Sequence, residues 1–405
     1  MKLGPFLRLN APWLAAGGLL TFLSSFGQTF FISIFAGDIR SEFGLSHGEW
    51  GGIYSLGTTT SAIVMIWAGA LTDRFRVRGL GALILLALAG ACIAMASVKA
   101  AWALVFVIFA LRFTGQGMTS HIAVVAMARW FVATRGRALA IATLGFSVGE
   151  ALLPVLFVAL MAFVDWRVLW IIAAIIALAG IPVLSLLLRN ERTPQSMAHE
   201  NPNLGMFGRH WTRNQTLRHP LFWFMVPALL GPSAFGTALF FHQVHYAEIK
   251  GWEHVQLVSL FPLYTLFGIG SMLISGWALD RFGTPRLMPF FQLPMVLAFV
   301  AFGMTTSISG ALIGFFFMAL TTGANSTLPN AFWAEFYGTQ NIGSIKAMAA
   351  AVMVFGSAIG PGITGVLIDL GMEWDTQMVA IAAYFVLTTV MMTVGITRYK
   401  TALIA

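Results

Sequence analysis

Two charged residues fall near the middle of long apolar runs: Arg112 in "ALRFTGQGMTS" and Glu150 in "GFSVGEALLP". An ionised side chain among hydrocarbon tails costs at least roughly 2.5 to 3.5 kcal/mol on insertion scales, so such a group needs a partner or a task. A guanidinium presents a planar fork of donors that matches a carboxylate. A carboxyl group nearby can take up and release a proton, since desolvation raises its pKa and a neighbouring guanidinium lowers it. Together they suggest a group that contacts a substrate and a carboxyl that carries a coupling proton. The other reading is a static pair that fastens two helices. If the two runs form a hairpin, Arg112 lies opposite residue 155, which displaces Glu150 by about five residues, or about 7.5 Å of helical rise. A direct or water-bridged pair is within the reach of an extended arginine.

Such residues need a lipid-embedded scaffold, and the composition supplies one. Of 405 residues, 58% are hydrophobic and 9% charged, too few polar groups to cover a water-soluble globule. Twelve stretches approach the roughly 20 apolar residues that one helical crossing needs. They run approximately 11 to 35, 51 to 71, 80 to 98, 102 to 127, 138 to 163, 168 to 188, 221 to 246, 256 to 279, 287 to 305, 308 to 333, 347 to 370 and 378 to 397. The short alternating strands of a membrane barrel are absent from the pattern, so an all-α, polytopic membrane protein is expected, because helices satisfy their own backbone in lipid. The lone Cys92 excludes an intramolecular disulfide and a cysteine metal cluster.

The formal charge of +8 does not indicate a nucleic-acid partner. With the N-terminus inside, eighteen of the 23 Lys and Arg fall in cytoplasmic segments, and only Arg40, Lys99, Arg167 and Lys250 fall outside. That asymmetry places both termini in the cytoplasm, with a bacterial inner membrane as the expected location. Residues 190–220, the longest polar interval, read as a cytoplasmic linker between a six-helix bundle at 1–189 and another at 221–405. The sequon at Asn214 is then a chance match. "GFSVG" formally fits a nucleophile elbow, but Ser147 lies in mid-helix without the strand-to-helix turn or triad partners.

The two halves share a repeat. "GALTDRF", Gly69 to Phe75, returns 207 residues later as "GWALDRF", Gly276 to Phe282, and Gly136, Gly149 and Pro154 map at the same offset onto Gly343, Gly356 and Pro361. Two six-helix bundles of the same orientation describe a carrier that rocks about a central site. The glycines provide close helix approach, and the aspartates end apolar runs at the cytoplasmic face.

On these residues the chain resembles the major facilitator superfamily. "GALTDRFRVRG" follows its GxLaDRxGrrr loop signature, with Arg76 in place of the usual glycine, while the second copy keeps Gly283. "RFTGQG" is similar to the fourth-helix RxxGxG signature, and "RWFVATRGRALAIATLGFSVGEALLP" resembles the pattern of the monocarboxylate and oxalate/formate branch. The resemblance implies a cavity lined by the first, fourth, seventh and tenth helices. Its polar candidates are Ser24 and Gln28, Arg112 and Gln116, His242 and Gln243, and Thr322 and Asn325. Gly69, Asp73, Arg74, Gly276, Asp280 and Arg281 become conformational hinge residues.

Along the fourth helix, α-helical spacing puts Arg112, Gln116 and Thr119 on one face and His121 opposite, as a packing histidine. His242 and His245, near the outer end of the seventh helix, are either titrating groups or interfacial ones, and no third ligand at metal spacing accompanies them. No cofactor and no metal are expected. The resemblance implies a secondary transporter of a small monocarboxylate-like anion moving with a proton. Against that branch, the eighth and eleventh helices lack a cation in their cores. The second reading is a proton-driven exporter of an apolar or amphipathic compound, suggested by Phe240 and Phe241. A membrane-embedded enzyme is the different-class alternative, and it lacks a metal or carboxylate-pair motif.

Overall fold

The computed structural model describes residues 3–69, 71–131, 134–191, 204–338 and 340–403, and the side chains of Leu3, Asp73 and Arg135 and the surroundings of Gly136 and Gly343 lie outside that description. The chain divides into two units, Met1–His199 and Glu200–Ala405. The first holds α1 (Leu3–Leu23), α2 (His47–Ala68), α3 (Val77–Ser97), α4 (Ala101–Trp130), α5 (Arg135–Met161) and α6 (Trp166–Leu187). The second holds α7 (Pro220–Phe241), α8 (Phe261–Phe282), α9 (Leu293–Met304), α10 (Ile308–Asn325), α11 (Ile342–Asp369) and α12 (Trp374–Tyr399).

Among the described residues, ten helices are long and apolar enough to cross a membrane. The other two of the twelve expected spans differ for local reasons. In α2 the run Ser55, Thr58, Thr59, Thr60 and Ser61 dilutes the apolar character of a 22-residue helix. The expected span 287 to 305 narrows to the 12 residues of α9, because Pro289 and Pro294 hold 288–292 in turns before the helix starts. The first expected span is broken rather than continuous. After α1 the chain passes through a 3₁₀ turn, Ser24–Gly27, extends at Gln28, and resumes as Thr29–Ile32, Ser33–Phe35 and the helix Ala36–Phe43.

Inside each unit the helices pair in the same pattern. In the first, α1 packs on α5, α3 on α6 and α2 on α4; in the second, α7 packs on α11, α9 on α12 and α8 on α10. Lipid tails are as apolar as leucine, so close backbone contact through small residues holds such pairs. A β-carbon at Gly145 or Gly149 of α5 would overlap the Gly18 carbonyl or the Ser25 hydroxyl, and one at Gly356 of α11 would stand 2.9 Å from the Leu230 carbonyl on α7. The repeated glycines therefore mark the same helix contact in both units.

Residues 192–203 lie outside the described residues, but from 204 onward the chain folds onto the second unit. Trp211 donates its amide to the Tyr337 carbonyl at 3.0 Å and its indole to Met206 at 3.2 Å, within a buried cluster that includes Phe222, Trp333 and Phe336.

A β-carbon at Gly360 would overlap the backbone of Ala234, whereas one at Gly276 meets nothing within 4 Å. Gly360→Val is expected to lower unfolding stability by about 1 to 3 kcal/mol through overpacking, and Gly276→Ala to leave it within about 0.5 kcal/mol. Unfolding of both variants in mixed micelles checks the contrast, and equal stabilities would contradict it.

Candidate functional site

The break in the first helix creates the site. Gln28 is extended, with φ −87° and ψ 153°, and the Phe31 and Ile32 amides both turn to its carbonyl, at 3.2 and 3.0 Å. The neighbouring Gly27 carbonyl accepts from Nη1 of Arg112 at 3.1 Å. A side chain from another helix thus caps a carbonyl at the discontinuity, which is how irregular backbone survives at membrane depth.

Two features let Arg112 reach it. Gly27 and Gly115 touch through their backbones: a β-carbon at Gly115 would stand 2.6 Å from the Gly27 Cα, and one at Gly27 would stand 2.7 Å from the Gly115 Cα. Between Arg112 and Thr119, α4 winds as a π-helix, a rare form that concentrates at functional sites. The Thr119 hydroxyl bonds the Thr114 carbonyl, five residues back, at 2.6 Å. The wider winding overturns the face assignment made on α-helical spacing. Thr119 is turned into the protein and fully buried, while Gln116 is half-buried and makes no side-chain hydrogen bond among the described residues.

Arg112 itself is 1% exposed. Its Nη1 also reaches Thr29 Oγ1 at 3.4 Å, the Tyr54 ring centroid lies 5.3 Å from its Cζ, and the Tyr54 hydroxyl is 2.5 Å from Thr29 Oγ1. Nε is buried with no acceptor. The surroundings are thus a carbonyl, a hydroxyl and an aromatic face. No carboxylate accepts from Arg112 among the described residues, so the expected direct pair with Glu150 is not formed; the guanidinium turns toward α1 and α2, drawn there by the glycine contact. Glu150 is half-buried on α5. A cation–π contact is worth about 0.5 to 2 kcal/mol and a charged hydrogen bond about 1.5 to 3, against several kcal/mol for desolvating the ion. The cage holds Arg112 in place, and no carboxylate among the described residues accepts from it.

Of the other candidates in the first unit, Gln28 is half-buried at the break, while Ser24 is fully buried and commits its hydroxyl to the Thr21 carbonyl at 2.7 Å. In the second unit His242 terminates α7 and its Nε2 lies 3.1 Å from the Pro361 carbonyl, and Gln243 Oε1 lies 3.3 Å from Nε2 of His254. Both are buried in packing contacts. Thr322 accepts from the Tyr264 hydroxyl at 3.3 Å, and Asn325 is half-buried near the end of α10. Phe240 and Phe241 are buried, Phe240 against Phe261 and Tyr264. They do not form the exposed aromatic lining on which the exporter reading rested. Among the described residues there is no group of metal-ligating side chains.

The hinge candidates divide. A β-carbon at Gly69 would lie 3.3 Å from His121 Nε2, so α2 ends in close contact with α4, and Arg129 Nη1 clasps the Thr72 carbonyl beyond it at 2.7 Å. The Asp73 side chain lies outside the described residues, and Arg74 is exposed. Gly276, by contrast, has open space around it, which corrects the expectation of close approach there. Asp280 is exposed, and Arg281 lies 5.9 Å from the Trp277 and Phe282 rings. The departure at Arg76 also has a cause: Gly283 takes φ 72°, a left-handed value suited to glycine, whereas Arg76 is extended at φ −68°.

Thr29 is among the polar residues of the first helix that the sequence offers as cavity candidates, whereas sequence reasoning missed Tyr54, whose convergence with it depends on the break at Gln28.

Repeated helix pairing within six-helix units, a broken first helix and a buried cation define a polytopic membrane transporter. Residues 17–361 match the model of the Major Facilitator Superfamily, and the chain belongs to that superfamily. It is similar to the crystal structure of a bacterial homolog to the human lysosomal transporter Spinster in an inward-facing and unoccupied conformation, at 16% identity and a TM-score of 0.74, covering 97% of this chain and 98% of that one. It is also similar to the nucleoside transporter NupG, at 13% identity and a TM-score of 0.72, covering 96% and 98%. These likenesses concern the fold. No curated protein matches the chain.

Thr29→Val keeps the side-chain shape and removes the hydroxyl shared by Tyr54 and Arg112. It is expected to cost about 1 to 3 kcal/mol in unfolding experiments, and unchanged stability would show that the contacts do not hold Arg112.

Proposed function

We propose that this transporter is a secondary active carrier that moves a small monocarboxylate-like anion together with a proton by alternating access, with both termini in the cytoplasm of a bacterial inner membrane. One observation carries the reading: a guanidinium buried without a carboxylate, with Nη1 occupied by Gly27 and Thr29 and Nε left without an acceptor. Nε, which has no acceptor, lies on the edge of the guanidinium that would take a carboxylate side-on once that edge is uncovered during alternating access. Gln28 and Gln116, half-buried on either side of the Gly27 and Gly115 contact, would supply neutral hydrogen bonds to the rest of the anion. The resemblance to the monocarboxylate and oxalate/formate branch supports the same substrate class.

Glu150 is the coupling group in this proposal. When an anion neutralises Arg112, the local positive potential falls and a half-buried carboxyl on α5 gains proton affinity. Substrate and proton then load together, and the neutral site changes its exposure. The paired GxxxDRF segments, with Asp73 and Asp280, govern the rate of that exchange rather than affinity.

Glu150→Gln mimics the protonated carboxyl. In proteoliposomes supplied with labelled formate, acetate or lactate, the variant is expected to exchange the transported anion across the membrane and to lose accumulation driven by a proton gradient. Accumulation equal to that of the unsubstituted protein would rule out Glu150 as the coupling group.

A further inference from the structure

At the end of the first unit away from the Gly69 loop, the helix that follows the break, Ala36–Phe43, is tied to two others. Arg167 forms an ion pair with Glu42, its Nη1 donates to the Ala96 carbonyl at 2.8 Å, and Trp166 Nε1 donates to Glu42 Oε2 at 3.1 Å. The second unit contains the same arrangement with the charges exchanged. Lys250 Nζ, on the helix Gln243–Lys250 that follows α7, pairs with Asp375 at 2.8 Å and donates to the Gly303 carbonyl at 2.9 Å. Trp374 precedes Asp375 as Trp166 precedes Arg167, and its ring stacks on Tyr246 at 5.5 Å.

The correspondence is close. Arg167 and Asp375 are each the second residue of their helix, and Ala96 and Gly303 each lie in the last turn of theirs. Both short helices end on a left-handed glycine, Gly44 at φ 63° and Gly251 at φ 70°. Glu42 stands two residues before its glycine and Lys250 one. The physical reason for the exchange lies in the carbonyl. The last turn of a helix has unpaired acceptors and partial negative charge, so a cation is favoured there. A carboxylate then holds the cation, and either helix can supply either charge.

We infer that Glu42 with Arg167, and Lys250 with Asp375, are one clasp used twice: a cation on the last carbonyls of α3 or α9, locked by a carboxylate, that anchors the short helix following α1 or α7. These residues anchor the two short helices, and the inference does not depend on the substrate. Such clasps set local opening more than global stability. The Glu42 and Asp375 side chains are 42% and 57% exposed, and exposed pairs contribute about 0 to 1 kcal/mol. The hydrogen bond from Arg167 holds the Glu42 carboxyl below its ordinary range, so the first clasp stays ionised in mildly acidic medium.

Amide hydrogen exchange of residues 36–43 and 243–250, in the full-length protein in lipid nanodiscs, tests this. Glu42→Lys alone sets two cations together and is expected to speed exchange in 36–43 by roughly two- to fivefold while sparing 243–250. Glu42→Gln, which removes only the charge, shifts the same segment in the same direction. The double variant Glu42→Lys with Arg167→Asp copies the polarity of the second unit and restores slow exchange, as does Lys250→Glu with Asp375→Arg for 243–250. Three results would overturn the clasp: single variants that leave 36–43 unchanged, a double variant that exchanges as fast as Glu42→Lys, or an increase spread evenly over α1 to α6.

Discussion

A guanidinium enclosed where no carboxylate accepts from it is the constraint on which the first unit is organised. Satisfying Arg112 requires a free carbonyl, and a regular helix has none to give in mid-span. The break at Gln28 exposes the Gly27 carbonyl, the glycine pair Gly27 and Gly115 brings the two backbones close enough for Nη1 to reach it, and the π-helical winding of α4 aims the side chain. Tyr54 and Thr29 complete the enclosure. Each feature is unfavourable or unremarkable alone. Together they place a cation in the protein interior whose Nε has no acceptor.

The duplication shows what the fold requires and what one half has specialised. Helix pairings, glycine contacts on α5 and α11, and charged clasps on the short helices following α1 and α7 occur in both units. The buried arginine does not: around the corresponding stretch of α10, Thr321 bonds the Phe291 carbonyl and Ser271 bonds the Leu320 carbonyl, neutral contacts within the packing. The repeat therefore supplies a frame, and the buried cation belongs to the first unit alone among the described residues.

Much of the frame was legible in the sequence because its causes are local. Apolar run length predicts the helices, and a recurring spacing predicts the repeat, down to the glycines that face α1 and α7. Arg112 stood out because charge in lipid is rare. The misreadings come from non-local or irregular causes. Ser24 looked available until its own helix was seen to take its hydroxyl, and His242 until Pro361 was found beside it. The π-helical turn altered which residues share a face with Arg112, a change that α-helical periodicity does not reveal. The clasps were hidden by their exchanged charges: Glu42 and Lys250 do not look like a repeat until their partners and carbonyls are seen together.

The central proposal is that Arg112 receives a carboxylate through the edge whose Nε has no acceptor. Calorimetric titration of formate, acetate and lactate into the purified protein and into its Arg112→Lys variant tests it most directly, because lysine keeps the charge and loses the planar fork. The account predicts saturable binding of at least one of these anions, weakened by roughly tenfold or more in the variant, since a charged hydrogen bond is worth about 1.5 to 3 kcal/mol. Binding of the same anion with equal affinity by both proteins would contradict it.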